Sequence, residues 1–231
     1  MSPNFHVSKL YIEFVGQHTA GKTTVIHDIV DRGLLEPRKA TYPQKIKRSR
    51  IDFAFRLPLL LLINIFDVIF ILKFLIVNVK FNWNNYHSAG RHMWKMVILH
   101  PYFLKFDFEV WMKDDLLHLL PRLEFKKNVD IHSALTIFFN HFKNWYDGLV
   151  FIELPYEDMK ARFEIRFANR SERRRVNRAE IYDRAFAQNI LLKDVLLRQT
   201  NVPILVLDGN SAVDVKSAQV VAFIKGIIDD K

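Results

Sequence analysis

Residues Gly16-Gln-His-Thr-Ala-Gly-Lys-Thr-Thr24 match G-x-x-x-x-G-K-[ST] at every fixed position and directly follow the apolar run Leu10-Tyr-Ile-Glu-Phe-Val15. A strand feeding such a loop, with the helical opening Thr24-Val-Ile-His-Asp-Ile-Val-Asp31 behind it, is the setting in which backbone N–H groups cradle a polyphosphate. Glycine is needed there wherever a side chain would block the approach or φ is positive. The candidate triphosphate site is therefore Gly16, Gln17, His18, Thr19, Ala20, Gly21, Lys22, Thr23 and Thr24. Lys22 is expected to reach the β- and γ-phosphates and Thr23 to offer its hydroxyl to Mg²⁺. The helix that follows points its positive end at the anion. Coincidence is a weak competitor, because the chain holds only 7 glycines in all.

With 231 residues, half of them hydrophobic, the chain can bury one sizeable core and is not a disordered protein. The expected organisation is a single domain over 1–231, with a helical apolar insertion at 50–99 and an arginine-rich lid at 166–178. It has no cysteine, which removes disulfides, thiolate nucleophiles and cysteine metal sites. The opening MSPNFHVSKL lacks an apolar stretch followed by a small-residue cleavage site, so a cytoplasmic setting is expected rather than a secretory leader.

The net charge of +9 is unevenly spread. Between Arg38 and Arg56 seven basic residues face one acid, Asp52, and between Lys160 and Arg178 eight face Glu164 and Glu172. These two segments carry more than the whole excess. Basicity that local asks for local anions: nucleotide phosphates, an anionic acceptor or a membrane surface. Nucleic acid is not expected, since no recognised nucleic-acid motif accompanies the charge.

Patterning along the chain predicts strand 10–15, helix 22–32, a mostly helical section 50–99, strand 102–110 and helices 113–120 and 131–145. Strand 149–154, helix 156–167, a charged segment to 178, helix 180–199, strand 202–207 and helix 213–228 follow. Alternation of this kind predicts an α/β fold, a parallel sheet with helices on both faces of the P-loop NTPase type. Its ligand is expected beyond the carboxyl ends of the strands. The most apolar stretch, Leu57–Val77, is long enough for a span but is interrupted by Asn64, Asp67 and Lys73. Each charge near a bilayer centre costs about 2.5 to 3.5 kcal/mol. Burial or helix pairing, docking on a membrane surface and a true span all remain open for it. The basic run Lys45–Arg56 beside it keeps a peripheral membrane contact through 45–80 among the expectations.

Asp107 and Glu109 stand two apart in Tyr102–Val110, which places both carboxylates on one face of a strand. At the strand's carboxyl end, Asp107 or Glu109 is expected to accept a proton from an attacking hydroxyl, and Asp107 to hold hydrated Mg²⁺. Asp114 and Asp115 read as first-turn acids of the next helix. Arg162, Arg166 and Arg170 recur every four residues and form one stripe if the helix continues, with Arg173, Arg174 and Arg175 after them. Phosphoryl transfer spreads negative charge over the migrating group, and arginines such as Arg166, Arg170 and Arg174 closing over it would stabilise that charge.

The loop GQHTAGKTT, the unit VFIELPYEDMKARFEIR, the stretch RSERRR and the late strand VPILVLDGN together resemble P-loop kinases of the thymidylate kinase-like group, over roughly 8–35 and 148–229. The resemblance implies ATP as phosphoryl donor, Mg²⁺, a mobile arginine lid at 166–178, and an adenine-contacting loop near Asp208, Gly209 and Asn210. Kinases of that group usually carry an Asp-Arg pair after the third strand, whereas Asp107-Phe-Glu109 has no adjacent arginine. In this it is similar to kinase-like proteins associated with bacterial surface polysaccharide synthesis, which carry an Asp-Glu pair. No N-K-x-D for guanine and no L-S-G-G-Q signature is present. The reading is an ATP-dependent phosphotransferase whose acceptor is a nucleoside, nucleotide or sugar. The alternative is a nucleotide-responsive module that binds a membrane or partner without transfer.

Overall fold

A parallel strand covered by helices on both faces reads as an unbroken apolar run rather than an alternating one, and β1 (Leu10–Gly16) is buried along its whole length. The computed structural model describes residues 9–17, 19–36, 38–42, 65–81, 109–113, 116–168, 172–199 and 201–230. Within them β1, β2 (Ala40–Thr41), β3 (Val110–Lys113), β4 (Gly148–Glu153) and β5 (Ile204–Asp208) form one sheet in the order β2-β3-β1-β4-β5. All four pairings are parallel. The helices among the described residues are α1 (Lys22–Asp31), α2 (Ile65–Asn78), α3 (Leu116–Leu119), α4 (Ile131–Phe142), α5 (Tyr156–Phe167), α6 (Glu172–Gln199) and α7 (Val213–Asp229).

Strand period two sorts the core into two layers. Ile12, Phe14, Met112, Val150 and Ile152 meet Val25 and Ile29 of α1 and Val220 and Ile224 of α7. On the other side Tyr11, Val15, Trp111 and Phe151 meet Phe74 of α2, Phe138 and Phe142 of α4, and Leu192 of α6. Each fully buried side chain of this size contributes about 1.5 to 3 kcal/mol. The result is the expected P-loop NTPase-like α/β architecture.

The topology also fixes where a ligand belongs. From β1 the chain departs toward β2 and β3, and from β4 toward β5, so the connections diverge between β1 and β4. The crevice lies outside the carboxyl ends there, where Gly16 pairs with Ile152 and Glu153 with Asp208.

One expected strand is displaced. Tyr102–Val110 alternates in the sequence, yet the third central strand is Val110–Lys113, with Leu10 opposite Val110 and Glu13 opposite Lys113. All four of its residues are buried, so it shows no alternation. Residues 102–108 lie outside the described residues. The predicted helix 113–120 gives its first residue to β3 and begins at Leu116, and β2, two residues long, had no signal inside the basic connector. Of the helical section expected at 50–99, residues 65–78 are helical and 79–81 follow, and the rest lies outside the described residues. No helix among the described residues is long and apolar enough to cross a membrane.

Candidate phosphate-binding site

The loop leaves β1 through Gly16, whose φ is 115° and whose Cβ, were there one, would collide with the Ile152 carbonyl of β4. Only glycine lets the backbone lie that close to the neighbouring strand. Gln17 is 1% exposed and anchors the next step, its side-chain Oε1 accepting the Leu154 amide at 3.1 Å. Thr19 follows with a φ of 62° and buried Ala20 after it. Gly21, at φ 88°, caps α1. Lys22, also buried, donates to the Gly16 carbonyl at 3.0 Å and to the Gln17 carbonyl at 2.7 Å, which folds its ammonium back over the loop. Thr23 and Thr24 are exposed, and the first turn of α1 contains no acid to repel an anion. His18 lies outside the described residues.

A second wall comes from the turn after β5. The Gly209 amide donates to the Glu153 carbonyl at 2.5 Å, and a Cβ on Gly209 would meet that oxygen at 2.6 Å. Asp208 shapes the turn by accepting the Asn210 amide at 2.9 Å, and Asn210 in turn donates to Asp158 at 2.6 Å.

Arg162 of α5 joins the two walls. Its guanidinium donates to the Thr19 carbonyl at 3.3 Å, to the Gly209 carbonyl at 3.4 Å and to Asn210 Oδ1 at 2.8 Å. Lys216, 3% exposed in the first turn of α7, donates to the same Gly209 carbonyl at 2.9 Å. Its Nζ would stand 3.7 Å from a Cβ on Gly21, so this ammonium also borders the loop. Burial first, and Arg162 second, hold its pKa below the ordinary value, with Asp208 opposing. Lys22, Arg162 and Lys216 thus bring three cations from three helices to a loop of backbone amides at a helix N-terminus, an arrangement suited to polyphosphate.

The other expected residues fall differently. Glu109 does not stand at a carboxyl end: it directly precedes β3, its amide on the Lys39 carbonyl at 2.9 Å and its carboxylate 3.6 Å from Arg38. Level with the start of β1, it is about 23 Å from Gly16 along the strands. Asp107 and Arg170 lie outside the described residues. Arg166 is exposed in the last turn of α5, and Arg174 is in α6. Helices α5 and α6 are tied by Tyr156 donating to Asp183 at 2.9 Å and by the edge-on pair Phe163 and Tyr182.

Sequence reading passed over three of these contributors. Lys216 shares one helix face with Val220, Ile224 and Ile227, and a lysine on an apolar stripe was the available signal. Glu13, the lone acid of β1, is fully buried and accepts the Leu117 amide at 2.6 Å and the His118 amide at 3.3 Å, which fixes the chain beyond β3. Lys113, at the end of β3, is buried 4.6 Å from the centre of the Tyr11 ring, and that burial pushes its pKa well below the ordinary value.

Sheet order, loop and helix placement define an α/β chain of the P-loop NTPase-like fold. Among solved structures it is similar to a deoxyadenosine kinase from M. mycoides with bound dCTP, at 13% identity and a TM-score of 0.44, over 94% of this chain and 100% of that one. No protein-family model and no curated protein matches the chain.

Proposed function

We propose that the chain is an ATP-dependent phosphotransferase that moves the γ-phosphoryl group to a hydroxyl- or phosphate-bearing small molecule or glycan. The observation that carries this reading is Arg162 bonded to the Thr19 carbonyl, because it sets the helix leading into the arginine-rich segment directly against the phosphate loop. Transfer needs cationic charge over the migrating group and exclusion of water, and arginines from the segment that follows α5 would supply both.

In this reading the loop amides and Lys22 hold the β- and γ-phosphates. Asp208, Gly209 and Asn210 border the base, and Arg166, Arg170 and Arg174 close over the site. Thr23 suits Mg²⁺, because that ion takes few protein ligands beside phosphate oxygens and water, and an exposed hydroxyl behind Lys22 is such a ligand. Bound there, the ion would neutralise phosphate charge. Asp114 and Asp115 are the acids to test first for preparing the acceptor. They follow Lys113 in sequence, and β3 ends on the loop's side of the sheet. ATP, Mg²⁺ and the protein incubated with a nucleoside panel, a nucleoside monophosphate panel and a sugar panel should give one product heavier by a phosphoryl group in mass spectra. No mass gain in any panel would overturn the proposal.

A further inference from the structure

Helix α2 is apolar on its exposed face as well as on its buried one. Val68, Ile71, Phe74 and Leu75 are buried in the layer formed by α4. Phe70 stacks on His141 at 3.7 Å between ring centres, and Asp67 is bonded to the same His141 at 2.8 Å. The opposite arc carries Ile65 (43% exposed), Phe66 (80%), Ile69 (52%), Leu72 (43%), Ile76 (64%) and Val77 (54%). At 100° per residue these positions fill about 140° of the helix, and Lys73 is the one charge among them. An apolar face of this size on a protein surface marks an interaction site.

Charge decides between occupants. A second copy docked through this face would bury Lys73 in an apolar interface between two chains of net charge +9. The complement of an apolar face centred on a cation is an apolar surface carrying anions. More cations lie at its C-terminal end, where exposed Lys127 stands next to Lys126, whose Nζ donates to the Ile76 carbonyl at 2.7 Å. Glu124, an acid of that region, is paired with Lys80 at 2.8 Å and Arg184 at 3.6 Å. In sequence, the Arg38–Arg56 segment with seven basic residues and one acid leads into the helix. Its 14 described residues measure about 21 Å against roughly 30 Å of bilayer hydrocarbon, a length suited to lying on a membrane surface.

The geometry points to a peripheral docking face for an anionic lipid surface, formed by Ile65, Phe66, Ile69, Leu72, Ile76 and Val77 around Lys73. The apolar arc enters the headgroup boundary while Lys73 and the basic end engage lipid phosphates and carboxylates. This inference stands apart from the phosphotransfer reading.

Flotation of the full chain with vesicles of phosphatidylcholine, with and without phosphatidylserine, tests it. Wild type should float with the anionic vesicles and be released by salt. The double variant Phe66→Ser, Ile69→Ser should bind them at least about tenfold more weakly, and Lys73→Glu about tenfold more weakly. Both variants change exposed side chains, and unchanged circular dichroism and thermal melting would confirm that they fold. Equal flotation with neutral vesicles, or variants that bind as wild type does, would overturn the proposal. So would a failure to float together with a dimer, in sedimentation, that the double variant dissociates; that result would assign the face to a second copy.

Discussion

The Arg162 guanidinium donates to the Thr19 carbonyl at 3.3 Å, and so fastens α5 to a phosphate-loop residue whose φ is 62°. A left-handed conformation in a β-branched residue costs about 1 to 2 kcal/mol, and the bond offsets part of it. Arg162→Ala should lower stability by about 1 to 3 kcal/mol and weaken ATP binding about tenfold. Arg162→Lys should recover less than half, because an ammonium cannot span Thr19, Gly209 and Asn210 together. Urea unfolding and calorimetry check both, and full recovery with lysine would contradict the bridging role.

Two glycines should respond in opposite directions. Gly16→Ala would drive a Cβ into the Ile152 carbonyl at a φ of 115°, and should cost more than about 3 kcal/mol or prevent folding. Gly226, inside α7, has nothing within 4 Å of the same atom, so Gly226→Ala should stabilise by about 0.5 to 1 kcal/mol. Thermal melts of the pair test the loop's close approach to β4, and equal effects would contradict it.

Lys216 should leave a signature in the pH dependence of stability. Its folded pKa lies below 10.5, chiefly through burial. Between that depressed value and 10.5 the unfolded chain binds more protons than the folded one, so stability rises with pH across that window. Below the window the cost of the buried ammonium is present in full. Denaturation of wild type and Lys216→Met from neutral pH upward should show wild type gaining on the variant. A constant difference would mean that the ammonium is not desolvated.

The acids can be separated by mutation. Glu109→Gln should leave phosphoryl transfer close to wild type, because Glu109 sits at the amino end of β3 beside Arg38. Asp114→Asn or Asp115→Asn should cut the turnover number by about 10² to 10⁴, the usual contribution of a positioned acid or base, with ATP affinity kept. A large loss at Glu109 and none at either aspartate would reverse the assignment.

What the sequence disclosed follows from local chemistry. The loop, β4 and α5 were legible because turn glycines, a continuous apolar run and a helical period announce themselves within a few residues. Tyr156–Phe167 is a helix over the span that was expected. Strand β3 was misplaced because Val110-Trp-Met-Lys113 is covered on both faces and ends in a buried lysine. The neighbouring Tyr102–Val110 alternates as a half-exposed strand would. That displacement carried Glu109 to the wrong end of the sheet. The roles of Gln17, Glu13 and Lys216 depend on partners 137, 104 and 7 residues away, and the distant pairings have no local signature. Lys216 alone left one, as a lysine on an apolar helix stripe.

The most direct test is calorimetric titration of ATP with Mg²⁺ into the full chain and into Lys22→Ala. Lys22 is buried against the Gly16 and Gln17 carbonyls, ready to turn to phosphate. Saturable binding to wild type at one site, lost or weakened at least about a hundredfold in the variant, is the expected result. An absence of binding to wild type, or equal binding by a folded Lys22→Ala, would contradict a triphosphate site at this loop.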